Sequence, residues 1–161
     1  MDHLDDQVER FGRLAKHFIQ LIEAEPVDRL VWLAELHDAL ADLYSAAVHL
    51  PDAGVVSDDL GPRLGLDEIS RVCRELEPKL GQNLYWTILD PLNRDGGPPE
   101  PAAGNLTDDL SDIYGDLWTG LALRDRGAAA QDVIWQWRFS FTSHWQDHAL
   151  GAMRSIREVL R

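Results

Sequence analysis

Apolar residues recur at spacings of three and four over five stretches of this chain, the period of helices that each turn one face to a core. The first runs from His3 to Glu25 and carries Leu4, Val8, Phe11, Ala15, Phe18 and Ile22. Pro26 ends it, because proline disfavours helical geometry in the residue before it and suits the first turn of a new helix. The second helix is predicted from Val27 to Leu50, with Leu30, Leu33, Leu36, His37, Leu40, Tyr44 and Ala47 inward and Pro51 as its stop. A loop over about 51–66 contains Ser57-Asp58-Asp59 among glycines and prolines. Asp67 then caps a third helix through Ile69, Val72, Cys73, Leu76 and Leu80, closed by Gly81.

Leu84-Tyr85-Trp86-Thr87-Ile88-Leu89 has the β-branched and aromatic content of a strand. No second strand-like run is present to pair with it, so the stretch reads as a short helix or a buried extended segment. A second loop, about 90–106, is rich in proline and glycine. Asn105-Leu106-Thr107 at its end has the form of a glycosylation sequon, but these residues read better as helix caps. The fourth helix is predicted from Asp108 to Arg126, with Leu106, Leu110, Ile113, Leu117 and Leu121 as its seam and Gly127 as its stop. The last runs from Ala128 to the end. Ile134, Trp135, Trp137, Phe139, Phe141 and Trp145 make it apolar on nearly every side, the mark of a central helix, before it narrows to Ala152, Ile156, Val159 and Leu160.

These elements make an all-α single domain over residues 1–161, a bundle of four or five main helices with two long loops, the fourth and last helices adjacent. A chain of 161 residues buries roughly 70% of its unfolded surface, enough for a core without staples. Cys73 is the only cysteine, which excludes an internal disulfide and a multi-cysteine zinc site.

Fifteen Lys and Arg against 28 Asp and Glu give a net charge of -13. That charge repels a phosphate backbone and an anionic membrane surface, so neither nucleic acid nor membrane is an expected partner. No apolar run approaches the ~18 residues of a membrane span. The acidic start Met1-Asp2-His3-Leu4-Asp5-Asp6 lacks an apolar signal core, and a cytoplasmic location is expected.

The acids of the fourth helix carry the most chemistry. Asp108 and Asp109 suit a helix N-terminus, which favours each by roughly 0.3–1 kcal/mol. Asp112 and Asp116 lie deeper and share one arc with Asp109, where like charges oppose one another and call for a cation. On a helical wheel Arg138 falls within the stripe of Ile134, Phe141, Trp145 and Ala149. That position predicts a buried guanidinium paired with Asp112 or Asp109, since breaking such a pair costs about 3–5 kcal/mol.

His144 and His148, four residues apart, put two imidazoles on one face. They read either as packed or capping histidines or as metal ligands, with Asp112 or Asp116 supplying oxygen. Neither His-Glu-x-x-His nor Glu-x-x-His is present. Ser140 stands one turn before His144, with no orienting acid for a hydrolase nucleophile. Tyr114, Trp86 and Trp118 are the candidate pocket aromatics.

Glu35, Asp38 and Asp42 repeat the spacing of Asp109, Asp112 and Asp116, an arrangement like that of helical nucleotide pyrophosphatases that hold magnesium between acidic motifs. Their phase is wrong for that role: they lie opposite the inner face centred on Leu40 and should face water.

Leu50-Pro51, Tyr85-Trp86 with Asp90-Pro91-Leu92, Asp108 to Leu117, and Trp137-Arg138-Phe139-Ser140-Phe141-Thr142-Ser143-His144-Trp145 together resemble an uncharacterised bacterial family, DUF5063. The resemblance covers most of the chain. It implies a small helical bacterial protein and lends no activity, cofactor or catalytic residue.

Two functional readings stand. The first is a non-enzymatic binding or regulatory protein whose acidic surface meets a protein partner. The alternative is a metal-dependent helical enzyme or small-ligand binder built on Asp109, Asp112, Asp116, Arg138, His144 and His148. What separates them is whether these side chains converge on an open cleft. The sequence names no cofactor and leaves the oligomeric state open.

Overall fold

The computed structural model describes residues 3–58 and 61–161. Helix α1 (His3–Glu23) buries Val8, Phe11, Ala15, Phe18 and Ile22, as its periodicity predicts. Asp28, not the turn at Pro26, sets the start of α2 (Arg29–Val48): its carboxylate accepts the backbone N–H groups of Leu30 and Val31. Leu30 therefore sits in the exposed first turn, and Trp32 takes the inward place, its indole N–H donating to Leu21 O.

Asp59 and Leu60 of the predicted 51–66 loop lie outside the described residues, as do Met1 and Asp2. The loop is tied down by Asp132, whose carboxylate accepts the N–H of Val56 at 2.6 Å. Helix α3 (Leu66–Leu80) starts at Gly65, with Asp67 inside its first turn instead of at the cap, and ends at Gly81. Near its end Lys79 is buried, its ammonium reaching the carbonyls of Ile22 and Ala24 at the end of α1, where the helix leaves acceptors unpaired.

The 84–89 stretch is neither helix nor buried. Residues Leu84–Ile88 form β1, paired antiparallel with β2 (Pro101–Asn105), with Tyr85 opposite Gly104 and Trp86 opposite Ala103. The partner strand is Pro-Ala-Ala-Gly-Asn, a composition that reads as loop, but ladder hydrogen bonds are made by the backbone and ask little of side chains. Leu84, Trp86 and Ile88 face solvent, with Trp86 72% exposed, while Tyr85 points inward. The fold is otherwise all-α.

Asn105 caps α4 (Leu106–Asp125), its side chain accepting the Thr107 N–H at 2.9 Å. Leu106, Leu110, Ile113, Leu117 and Leu121 are all buried, and α4 touches α1, α3 and both halves of the C-terminal helix. It, not the C-terminal helix, is the central element. The C-terminal rod is α5 (Ala130–Ser140), a π-helical turn (Phe141–Trp145) and α6 (Gln146–Val159). Among the described residues no helix is long and apolar enough to cross a membrane.

Candidate functional site

The π-turn follows from the order of core residues. Trp137, Phe141, Trp145 and Ala149 are all buried and four apart. On a regular α-helix each four-residue step overshoots a turn by about 40°, so the series would wind off the core. A wider turn, closed by the Gln146 N–H bonding to Phe141 O, absorbs the drift. Hydroxyl groups support it: Thr142 donates to Arg138 O and Ser143 to Phe139 O.

This slip moves Arg138. With the wheel reset at the π-turn, Trp137 occupies the place that an unbroken helix assigns to Arg138. The arginine stands on the flank instead of in the stripe. Its side chain is 35% exposed, donates to Leu50 O at 2.7 Å, and lies 4.0 Å from Asp52. Neither Asp109 nor Asp112 is its partner, and Arg138 leaves the cluster.

The remaining five members come together. Asp109, its side chain only 7% exposed, accepts from His148 Nδ1 at 2.8 Å through one oxygen and from the Tyr85 hydroxyl at 2.6 Å through the other. Asp116 accepts from His144 Nδ1 at 2.7 Å. Both imidazoles then direct Nε2 at the same atom, Asp112 Oδ2, at 4.0 Å from His144 and 3.6 Å from His148. The rings stand edge to face with centroids 5.0 Å apart.

An ionised carboxylate accepts only, so each Nδ1 carries a proton and the neutral ring presents its lone pair at Nε2. Two lone pairs and a carboxylate oxygen thus face one another beyond hydrogen-bond length. The arrangement calls for a positive charge, either protons on the imidazoles or a metal ion. The ligand atoms of Asp112, His144 and His148 all lie within 4.8 Å of one another. Bonds of about 2.0–2.1 Å in tetrahedral geometry need separations near 3.3 Å, so the three side chains would have to draw together around an ion.

Titration tendencies agree with that demand. The Asp109 hydrogen bond chiefly, with the charges of Asp109 and Asp112, holds His148 above the ordinary histidine value against the lowering effect of burial. Burial raises Asp112 above the usual carboxylate range, with the two histidines opposing and Asp116 and Asp109 adding. Burial and then the bond to Asp109 raise Tyr85, which is a neutral donor.

Tyr85 is the member that sequence reasoning missed. It arrives from the hairpin, and its ring passes so close to Gly104 on β2, and its hydroxyl so close to Gly151 on α6, that a Cβ at either glycine would collide with it. The sequence signal was faint: an inward position of a strand whose partner was read as loop.

Asp112, Asp116 and His144 line a cleft of about 340 Å³ between α4, the C-terminal rod and the segment before α3. Of the candidate aromatics, Tyr114 is buried and donates to Glu23 at 2.7 Å, and Trp118 packs partly buried against the core. Trp86 lines a separate cleft of about 380 Å³ between the hairpin and α6. Ser140 donates to Trp137 O, not to His144. On α2, Glu35, Asp38 and Asp42 face solvent as their phase predicts.

The fold is similar to that of protein BF1032 from Bacteroides fragilis, whose crystal structure matches with a TM-score of 0.77 over 99% of this chain and 97% of that one, at 20% sequence identity. Comparison with curated proteins finds no match. The model of a family described as a domain of unknown function matches residues 2–161. With essentially its whole length covered, the chain belongs to the DUF5063 family.

Proposed function

We propose that this protein binds a divalent transition-metal ion through His144 Nε2, His148 Nε2 and Asp112, with Asp116 and Asp109 orienting the two rings. One observation carries the reading: each histidine has its Nδ1 bound to its own carboxylate while both Nε2 atoms are aimed at the same Asp112 oxygen. Metal-ligating histidines are typically held this way, the outer carboxylate fixing tautomer and orientation. Two imidazoles and one carboxylate suit zinc, iron(II) or manganese(II), and three protein ligands leave coordination positions for water or substrate. The cleft that His144 and Asp112 line would give a small ligand access to them. The reaction class this supports is metal-assisted chemistry on a small ligand.

Calorimetric titration of metal-stripped protein with zinc or cobalt(II) tests the reading. One equivalent binds, and His148→Ala or Asp112→Asn weakens binding by more than about a hundredfold, beyond the roughly 10–100-fold that loss of an outer partner costs. Equal affinity in wild type and both variants overturns it.

A second reading, an acidic protein that meets a protein partner, draws on the net charge of -13 and on the apolar residues exposed along the hairpin. Its test is whether neutralising surface acids away from the His-Asp cluster abolishes reproducible capture of a partner.

A further inference from the structure

We infer that the cleft beside His144 and Asp112 takes a small oxyanion, a carboxylate or a phosphate group, held by Arg63 and Gln136 with the metal ion as third contact. The inference rests on the metal reading above and names the ligand class of the same site.

Gln136 is the starting observation. It lies on α5, is only 6% exposed, and its side chain lines the cleft. Among the described residues its amide makes no hydrogen bond, and its polar atoms are not among those shut off from solvent without a partner, so its free donors open onto the cleft. The neighbouring hydroxyls differ. Ser140 donates to Trp137 O, Ser143 to Phe139 O and Thr119 to Gly115 O, so each has already spent its proton on the backbone. Gln136 is therefore the buried group in this cleft with donor capacity left over.

Arg63 lines the same cleft from the segment before α3. Asp112 and Asp116 line it too, yet no ion pair joins either of them to Arg63, which places the guanidinium more than 4.0 Å from both across the cleft. Among the described residues the uncommitted groups are thus a guanidinium with its fork of N–H donors and an amide NH2, with the proposed metal position beside them. All three seek lone pairs and negative charge.

Without a metal ion the carboxylates of Asp109, Asp112 and Asp116 would repel an anion; a divalent ion offsets two of those charges and Arg63 the third, leaving an open metal position and N–H donors to hold one. Leu64, Ile69 and Phe139 supply apolar lining, and about 340 Å³ lies at the small end of ligand clefts. The occupant is accordingly small, with an oxyanion head and little else.

The test uses cobalt(II) as metal and inorganic phosphate, acetate and chloride as probes, at constant ionic strength. Phosphate or acetate shifts the visible spectrum of the cobalt protein saturably while chloride does not, and which oxyanion binds more tightly identifies the head group. Arg63→Gln and Gln136→Ala each weaken the anion by tenfold or more and leave cobalt affinity unchanged. Arg63 is exposed, so its variant keeps the fold even if the Gln136 variant does not. Cobalt that binds normally while neither oxyanion shifts its spectrum, or while both variants respond as wild type does, overturns this inference and spares the metal reading. A chain that binds no cobalt at the two histidines overturns both.

Discussion

Helices α2 and α4 are each 20 residues long and each carries three carboxylates at the same spacing, Glu35, Asp38 and Asp42 on one and Asp109, Asp112 and Asp116 on the other. On α2 the series points into water. Asp38 is 86% exposed, with the imidazole of His37 3.6 Å away. On α4 the series runs along the helix that most others pack against, and the π-turn and α6 lay one histidine each across it, His144 and His148. Identical spacing therefore has opposite consequences. A carboxylate in water is solvated and needs no partner, whereas one between packed helices must be given hydrogen bonds and a cation.

The largest expected difference is in stability. Asp109→Ala removes the acceptor of both Tyr85 and His148, leaving two part-buried donors unpaired, and should cost about 2–4 kcal/mol. Asp42→Ala on α2 should stay within about 0.5 kcal/mol. For a domain of this size, that separates the two melting temperatures by roughly 5–15 °C. Urea unfolding of the two variants side by side measures it, and equal small losses would break the comparison.

A smaller difference is in pH dependence. His148 and Asp112 are both raised in the folded protein, so the native state holds protons that the unfolded chain releases. Stability from such groups is fully present below their unfolded values and is lost as pH rises through the folded ones. Metal-free protein should therefore become less stable from about pH 6 upward through the histidine range, while saturating metal, which takes the place of those protons, flattens the profile. The urea midpoint of His148→Gln should lose most of this slope. A wild-type midpoint that instead rises over the same interval contradicts the proton-holding role of the cluster.

What could be read in the sequence was local. The seam of α4 and the faces holding Asp109, Asp112, Asp116, His144 and His148 depend only on spacings of three and four, and the structure keeps them. The position of Arg138 was lost because wheel arithmetic carries no information about a π-turn; the four-residue interval repeated from Trp137 to Ala149 was its trace. The hairpin was lost because β2 is held by backbone pairing through Pro-Ala-Ala-Gly-Asn, which has no side-chain alternation to detect. Tyr85 was lost with it, since its contact with Asp109 spans 24 residues and depends on that pairing. Gln136 escaped notice because a polar residue within an apolar helix is informative only once its lack of a partner is seen.

The smallest expected effect is also the sharpest control. Replacing Glu35, Asp38 and Asp42 together by Gln, Asn and Asn changes the net charge from -13 to -13 + 3 = -10. If overall acidity attracted the metal ion, this variant would bind it more weakly in proportion to the lost charge. If the geometry of α4 and α6 holds it, affinity stays within about twofold and stability within about 0.5 kcal/mol, because charges on a solvated face act through water and beyond a Debye length of about 10 Å are screened. The same variant bears on the protein-partner reading in the opposite sense. A partner that docks on acidic surface loses its hold when α2 is neutralised, while a metal centre built on α4 is indifferent. Calorimetry with zinc and a parallel capture experiment on this one variant therefore assign the acids of the two helices separately, those of α2 to surface and those of α4 to a site.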